Sequence, residues 1–520
     1  MKRTKHNTLK RILILTLIAL MIPASVLGFA FADSTGGPGG MSAADITYTG
    51  VAEFTGDTTE EGQTYSSTNT DEQALLVTGG SSSITNATVT KTGDSDGDSA
   101  DFYGTNAAVL VTDGSLDITD SQISTDGAHA NAVFAYGAGV VTISNSTIST
   151  TSNNSGAVMV TGGGTLTAND LTVNTKGNSS APIRSDRGGG TMTINGGTYE
   201  SNGVGSPVVY STADVTVNYA EMISTASEGV VVEGENSVTL NGVTMTADNN
   251  THNGKSETYK AIFLYQSMSG DAEQGTANFS AKDSVINVLN GDTIFVTNTT
   301  AEIVLENNQI TNESGDFLRI QTGAWGNEGS NGGHVTAVLT NQKVDGDIIV
   351  DSISTLDLTL ESGSVLTGAI DTDDQAQQLD LTMTADSVLV LTGDTYLDSL
   401  TNEDATNSNI YLNGHKLYVA GAETTANEGT YAGAEETAAN EGTYAGAEET
   451  AAEDVTADGS TSSNSTPYVV GGIALAAVAA GAAALSRKRK AADAVTSADA
   501  AEAGAPEESS SEPDPQAEQE

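Results

Sequence analysis

The sequence predicts an all-β solenoid built from three-sided coils of parallel strands, and three observations predict it. Apolar pairs recur on a beat of 25 residues, at Ala108/Leu110, Val133/Ala135, Val158/Val160, Ile183/Ser185 and Val208/Tyr210. A fixed period of this length marks a solenoid, in which each repeat buries its apolar face only against its neighbours. Inside a repeat the hydrophobic period is two: Ser-Leu-Asp-Ile-Thr at 115–119 and Val-Val-Thr-Ile-Ser at 140–144 send alternate side chains to opposite faces. A polar residue also returns between the second and third strands, at Asn86, Asp120, Asn145, Asn169, Asn195, Asn218, Asn241 and Asn307. Asn and Asp tolerate left-handed backbone and hydrogen-bond their own turn, so stacked coils should carry an asparagine ladder.

The three strands of a coil follow in order. The apolar pairs make the first. Leu116, Val141 and Leu166 keep the same beat in the second, and Ile123, Ile148 and Val173 in the third. Thr, Val, Ile and Ser dominate these runs and Gly separates them, which is strand chemistry punctuated by turns. Further on, Val230/Val232, Ile262/Leu264, Ile294/Val296 and Leu318/Ile320 continue the first strand. Insertions at 248–260, 267–276 and 321–334 separate them and should project as loops from one edge. Residues 345–420 alternate cleanly and supply the last coils and a cap, since an open solenoid end exposes unpaired strand edges. The expected total is about a dozen coils.

On these apolar columns and Asn turns the chain resembles right-handed parallel β-helix proteins of the pectin-lyase-like type, in particular adhesin-like repeat proteins of the bacterial cell surface. The resemblance covers roughly residues 43–420. It implies a right-handed parallel β-helix and a non-enzymatic surface role, and it specifies fold more tightly than activity.

The ends of the chain predict export and anchoring. Met1–Arg11 carries five Lys or Arg, 12–32 is apolar, and Ala30-Phe31-Ala32 resembles a cleavage site, so 1–32 reads as a secretory signal peptide. The β-helix domain is assigned to 33–420. At 421–466 a Gly-Ala-Glu-Thr repeat, acidic and poor in large apolar residues, reads as a low-complexity stalk. Residues 467–486 read as one transmembrane helix. The basic cluster Arg487–Lys490 then places the acidic tail, within 487–520, in the cytoplasm. The tail resembles a cell-wall sorting signal but lacks a Leu-Pro-x-Thr-Gly-like motif and runs some 30 residues past the basic cluster, so a retained anchor is the expectation. With no Cys, the exported domain must be held by its stacked core. The net charge is −49, from 68 acidic and 19 basic residues. That excludes nucleic acid as a partner and favours solubility of a long β-structure.

Chemistry is sought on the outward side of the first strand, where polysaccharide-acting members of the resembled fold hold clustered Asp with Arg or Lys. The alternation aims Val109, Phe134, Met159, Arg184, Val209, Val231, Phe263, Phe295 and Arg319 outward in one column. The next column carries Tyr136, Asp186, Glu233 and Tyr265. Asp186 and Glu233 fall two coils apart, about 10 Å by strand spacing, at the upper edge for an inverting carboxylate pair. Arg184 and Asp186 read as a surface ion pair. Phe134, Tyr136, Phe263, Tyr265 and Phe295 read as an exposed aromatic stripe, with Trp325 in the insertion beside it. Exposed aromatic stripes on a rigid scaffold bind sugar rings or partner proteins. The same residues are a satellite core if the insertions fold back over them. The candidate ligand contacts are therefore Phe134, Tyr136, Arg184, Asp186, Phe263, Tyr265, Phe295, Arg319 and Trp325, facing an extracellular glycan or a host or bacterial surface protein.

No catalytic residues and no cofactor are assigned, although weak calcium binding by surface carboxylates is open. Asp94-Ser-Asp-Gly-Asp98 has the composition of a calcium loop but not its spacing. His129, His252, His334 and His415 show no metal-ligand spacing. The alternatives to recognition are a polysaccharide lyase or hydrolase around Arg184, Asp186 and Glu233, and a structural surface-layer spacer.

Overall fold

The computed structural model describes residues 46–254, 256–312 and 315–432. They wind into a parallel β-solenoid of the right-handed type with about 15 turns, and the fold is nearly free of helix. Each typical coil contributes one strand to each of three faces. Val133–Tyr136, Val140–Ser144 and Thr147–Thr150 make one coil. Val158–Thr161, Gly164–Asn169 and Thr172–Thr175 make the next. Equivalent strands pair in parallel, Val133 with Val158, Val141 with Leu166 and Ile148 with Val173. The turn count exceeds the dozen expected, and the last coils are shorter than the 25-residue beat. Val365 pairs with Lys343 and with Val388, and Leu389 with Ile410, spacings of 21 to 23 residues.

One continuous core fills the interior. Columns such as Val141, Leu166, Met192 and Val215 stack along it. Corners carry hydroxyls that satisfy backbone where the chain turns: the Ser121 Oγ accepts from Ala87 N, and Ser146 Oγ from Ser121 N, both at 3.0 Å. Buried turn amides need such partners.

Two coils lie one residue away from the expected register. Val109, not Ala108, pairs with Val133, and Leu110 pairs with Phe134. Likewise Ile183 pairs with Val209, and Arg184 with Tyr210. Leu110 and Tyr210 therefore point outward, and Val109 and Val209 inward, the reverse of the expectation. The second slip has a visible origin. Val160 pairs with Ser185 but Gly164 with Gly190, so the extra residue lies in the intervening turn. That turn is Gly188-Gly189-Gly190, with φ of 78°, 55° and 153°. Only glycine enters such a sequence of angles freely.

The asparagine ladder exists, but it is one of two adjacent columns. Asn169, Asn195, Asn218 and Asn241 end successive second strands in register. The Nδ2 of Asn195 donates to Asn169 at 2.9 Å, that of Asn218 to Asn195 at 3.0 Å, and that of Asn241 to Asn218 at 2.9 Å. Asn86, Asp120, Asn145 and Asn307 occupy the following position, which is the left-handed one, with φ of 50° to 54°.

The domain continues beyond 420. Leu417–Val419 pairs in parallel with Thr395–Leu397 and antiparallel with Ala422–Glu423. Asn427 bonds the backbone of Ile410 and Leu412, and the Tyr431 ring lies 5.0 Å from that of Tyr411. The first copy of the acidic repeat thus closes the last turn. The expected signal peptide, the rest of the stalk, the transmembrane helix at 467–486 and the tail at 487–520 lie outside the described residues. Among the described residues no helix is long and apolar enough to cross a membrane.

The Asn195 side chain both donates and accepts in the ladder. Asn195→Ala should therefore destabilise the domain by about 1–3 kcal/mol, read as a lower urea midpoint with unchanged slope.

Candidate functional site

From Leu76 to Phe295 most of the outer face of the first strand is closed to solvent. It divides into three blocks, each covered by a segment of the same chain. In the first, Leu76, Leu110, Phe134 and Met159 form an apolar cluster separate from the interior. Phe134 has no exposed surface. The cover is a six-residue helix, Asp98–Tyr103, ended by Gly104 in the left-handed conformation. A Cβ at Gly104 would lie 2.8 Å from Leu110 and 3.1 Å from Phe134, so this turn requires glycine both for its φ and for its close approach. Tyr103 meets half-buried Tyr136 edge-on at 5.7 Å. Two side-chain donors tie down the helix carbonyls: Tyr48 Oη to Tyr103 O at 3.0 Å, and Thr161 Oγ1 to Phe102 O at 2.6 Å.

The second block is ionic. Arg184 donates to Asp101 at 3.1 Å and to Asp186 at 3.3 Å. His129 Nδ1 lies 2.8 Å from Asp101, and its Nε2 lies 3.1 Å from the Asn154 amide. Arg187 bonds Asp271 at 2.8 Å and stands 3.9 Å above the Phe102 ring. Beside them Glu233, 1% exposed, accepts from Tyr210 Oη at 2.5 Å, Tyr265 Oη at 3.0 Å and Ser267 N at 3.3 Å. The Ser267 hydroxyl also donates to it.

The third block is aromatic. Phe263 stacks on Phe295 at 5.5 Å and on Tyr265 at 4.4 Å. Trp325, from the insertion at 321–334, closes over them at 5.2 Å from Phe263 and 5.0 Å from Tyr265. Lys260, buried and paired with Glu228 at 3.1 Å, points its ammonium at the Phe263 ring from 4.4 Å. Beyond this block Arg319 bonds Asp292 at 2.6 Å and also Asp316. Arg319 and Gln321 help line an open cleft of about 350 Å³ with Tyr259, Asn290 and Asp292.

This geometry corrects the expectation of an exposed aromatic stripe. Phe134, Phe263, Tyr265 and Phe295 do face outward, but the helix and the insertions bury them as satellite cores. Arg184 and Asp186 are not a surface ion pair either, for they are 9% and 6% exposed. Asp186 and Glu233 each bond their own partners. Sequence reasoning missed Asp101, His129, Tyr210 and Asp271. The single local signal was the run Asp98-Ser-Ala-Asp-Phe-Tyr103, which breaks the period of two. Among the described residues no group of three or more His, Asp or Glu converges to hold a metal ion.

Burial governs the electrostatics. It pushes the Asp186 carboxyl up to about 7, and Arg184 offsets only part of that rise. Burial also pushes Asp101 up, but Arg184 and His129 together outweigh it and hold this carboxyl below its ordinary value. The hydrogen bond to Asp101 raises His129 in turn. The arrangement therefore holds one acid that titrates near neutrality against a fixed guanidinium, beneath a cover. Comparison with protein-family models, with curated proteins and with solved structures found no match to this chain.

Two outcomes follow. Arg184→Met leaves Asp101 and Asp186 buried without their cation and should cost about 3–5 kcal/mol, measured by denaturant unfolding at pH 7. Asp186 holds its proton more tightly folded than unfolded. Its contribution is therefore full below pH 4 and is lost as pH rises toward 7. Asp186→Asn should flatten the fall in stability between pH 4 and 7, as read from melting curves across that range.

Proposed function

We propose that this chain is an exported, membrane-anchored, non-enzymatic recognition protein, whose β-solenoid presents a fixed surface to extracellular glycans or to proteins on other surfaces. One observation carries the reading. From Leu76 to Phe295 the face that would carry a stripe or a reactive cluster is largely covered by the protein's own helix and loops, and the residues beneath hold those covers down. Arg187 pins the 267–276 loop through Asp271, and Trp325 pins the 321–334 loop by its ring. Loops fixed in this way lose little further entropy when they meet a ligand, and loops on rigid scaffolds are where binding surfaces concentrate. The apolar start of the sequence and its apolar, then basic, C-terminal region support export and anchoring. The acidic surface favours neutral or basic partners.

A second reading, a polysaccharide-acting enzyme, draws support from Asp186, a carboxyl raised to about 7 beside Arg184. Such a group suits proton transfer at neutral pH. Its position under the cover weighs against it.

Binding of the full chain to an array of neutral and uronic-acid glycans, with product analysis for shortened chains, separates the two. Selective binding with intact glycans supports recognition. Shortening that disappears in Asp186→Asn overturns it in favour of catalysis. Trp325→Ala should open the 321–334 loop to limited proteolysis while shifting the global melting temperature by only a few degrees, as expected for a cover that is pinned locally.

A further inference from the structure

The turn after the second strand holds a left-handed residue in coil after coil, and one of these residues does not belong there by conformation. Asp170, Gly196, Gly242 and Asp283 fill it with φ of 51°, 65°, 61° and 51°. All are residue types that enter this region readily. Between them, in the same column, stands Tyr219 with φ 56°. A bulky residue at such an angle is a conformational outlier. Packing does not compensate it, since Tyr219 is 77% exposed, more than any other large hydrophobic residue described.

The neighbouring coil is shaped around the ring. A Cβ at Gly242 would lie 2.7 Å from Tyr219 Cδ1, so a side chain there would displace the tyrosine. The ring thus rests against the bare backbone of the next coil. Asn218 and Asn241 of the ladder precede the two turn positions, and the Glu221 side chain is exposed just after Tyr219.

We propose that Tyr219 is a binding platform for a neutral pyranose unit of a glycan. The apolar face of the sugar lies on the ring, and its hydroxyls reach the Asn218 amide and the Glu221 carboxylate. A strained backbone retained for a ring whose contact with Gly242 still leaves it 77% exposed points to a role outside the fold, and an aromatic ring beside a few polar groups is sugar-binding chemistry. The acidic neighbour disfavours a uronic acid. This inference rests on the recognition reading above and names a site for it.

The test uses the full chain, with cellohexaose and chitohexaose as neutral probes and hexagalacturonate as the charged control, each titrated by saturation-transfer NMR and calorimetry. Tyr219→Asn keeps a residue at home in the left-handed region, and Tyr219→Phe keeps the ring. The expected result is binding of at least one neutral hexamer but not of hexagalacturonate. Tyr219→Asn should lose at least tenfold in affinity while melting at the same or a higher temperature, and Tyr219→Phe should retain binding. A lower melting temperature for Tyr219→Asn would make the residue structural and overturn the proposal. Equal binding by wild type and Tyr219→Asn would overturn the platform and leave the recognition reading standing. Failure of the wild type to bind either neutral hexamer would also overturn the platform. The recognition reading itself stands or falls on the wider array.

Discussion

No coil of this chain has a core of its own, and the hydrogen bonds between coils are the constraint on which everything else depends. Val133 donates its N–H to Ala157, Val158 to Pro182 and Ile183 to Val208, at 2.9 to 3.0 Å. A coil of some two dozen residues cannot satisfy its own strand backbone, so each one exists only between its neighbours. The register of that pairing then decides which side chains face the interior and which face out, because a slip of one residue exchanges the two. Extra residues must be shed at corners. The Gly188–Gly190 turn absorbs a single one, and the long insertions absorb most of the rest, with local register shifts at Val77–Ser81 and at Ala247/Asp248.

This constraint explains what could be read from the sequence and what could not. The repeat, the period of two and the polar turns were legible because each is a local pattern copied many times. The register at Leu110 and Tyr210 was not, since a count of 25 residues assumes that all corners are equally long. The ladder and the left-handed column merged into one because Asn and Asp serve both positions, one residue apart. Of the outer face, the aromatic residues were legible but their burial was not. The cover depends on contacts such as Asp101 with Arg184, 83 residues apart, and Arg187 with Asp271, 84 apart. Nothing periodic announces such contacts.

The helix Asp98–Tyr103 shows what these long-range contacts achieve. Six residues are too few for a helix to stand alone in water. It is held by the aromatic contacts of Phe102 and Tyr103 and by the ion pairs of Asp101. Burying charges is expensive, and apolar residues of the same volume would often hold as well. The ionic seam does something an apolar patch does less well, which is to fix position. A guanidinium between two carboxylates accepts only one placement of the helix over the face, whereas Leu110, Phe134 and Met159 alone would accept several.

The same seam divides the solenoid into a part of fixed length and a part of free length. Every coil presents to the next the surface it received from the last, so in principle one coil can be lost or duplicated without harm to its neighbours. Between Leu110 and Glu233 that freedom is cancelled. Removing one coil between Leu110 and Arg184 would carry Arg184 a full strand spacing, about 4.8 Å, from its place beneath Asp101, and removing one between Arg187 and Glu233 would shift Arg187 from Asp271 by as much. Beyond Gly333 the coils are tied mainly to adjacent turns, as when Lys343, Val365 and Val388 pair in succession. Over evolutionary time the stack should therefore lengthen or shorten toward its C-terminal end, while the clamped segment keeps its count of coils.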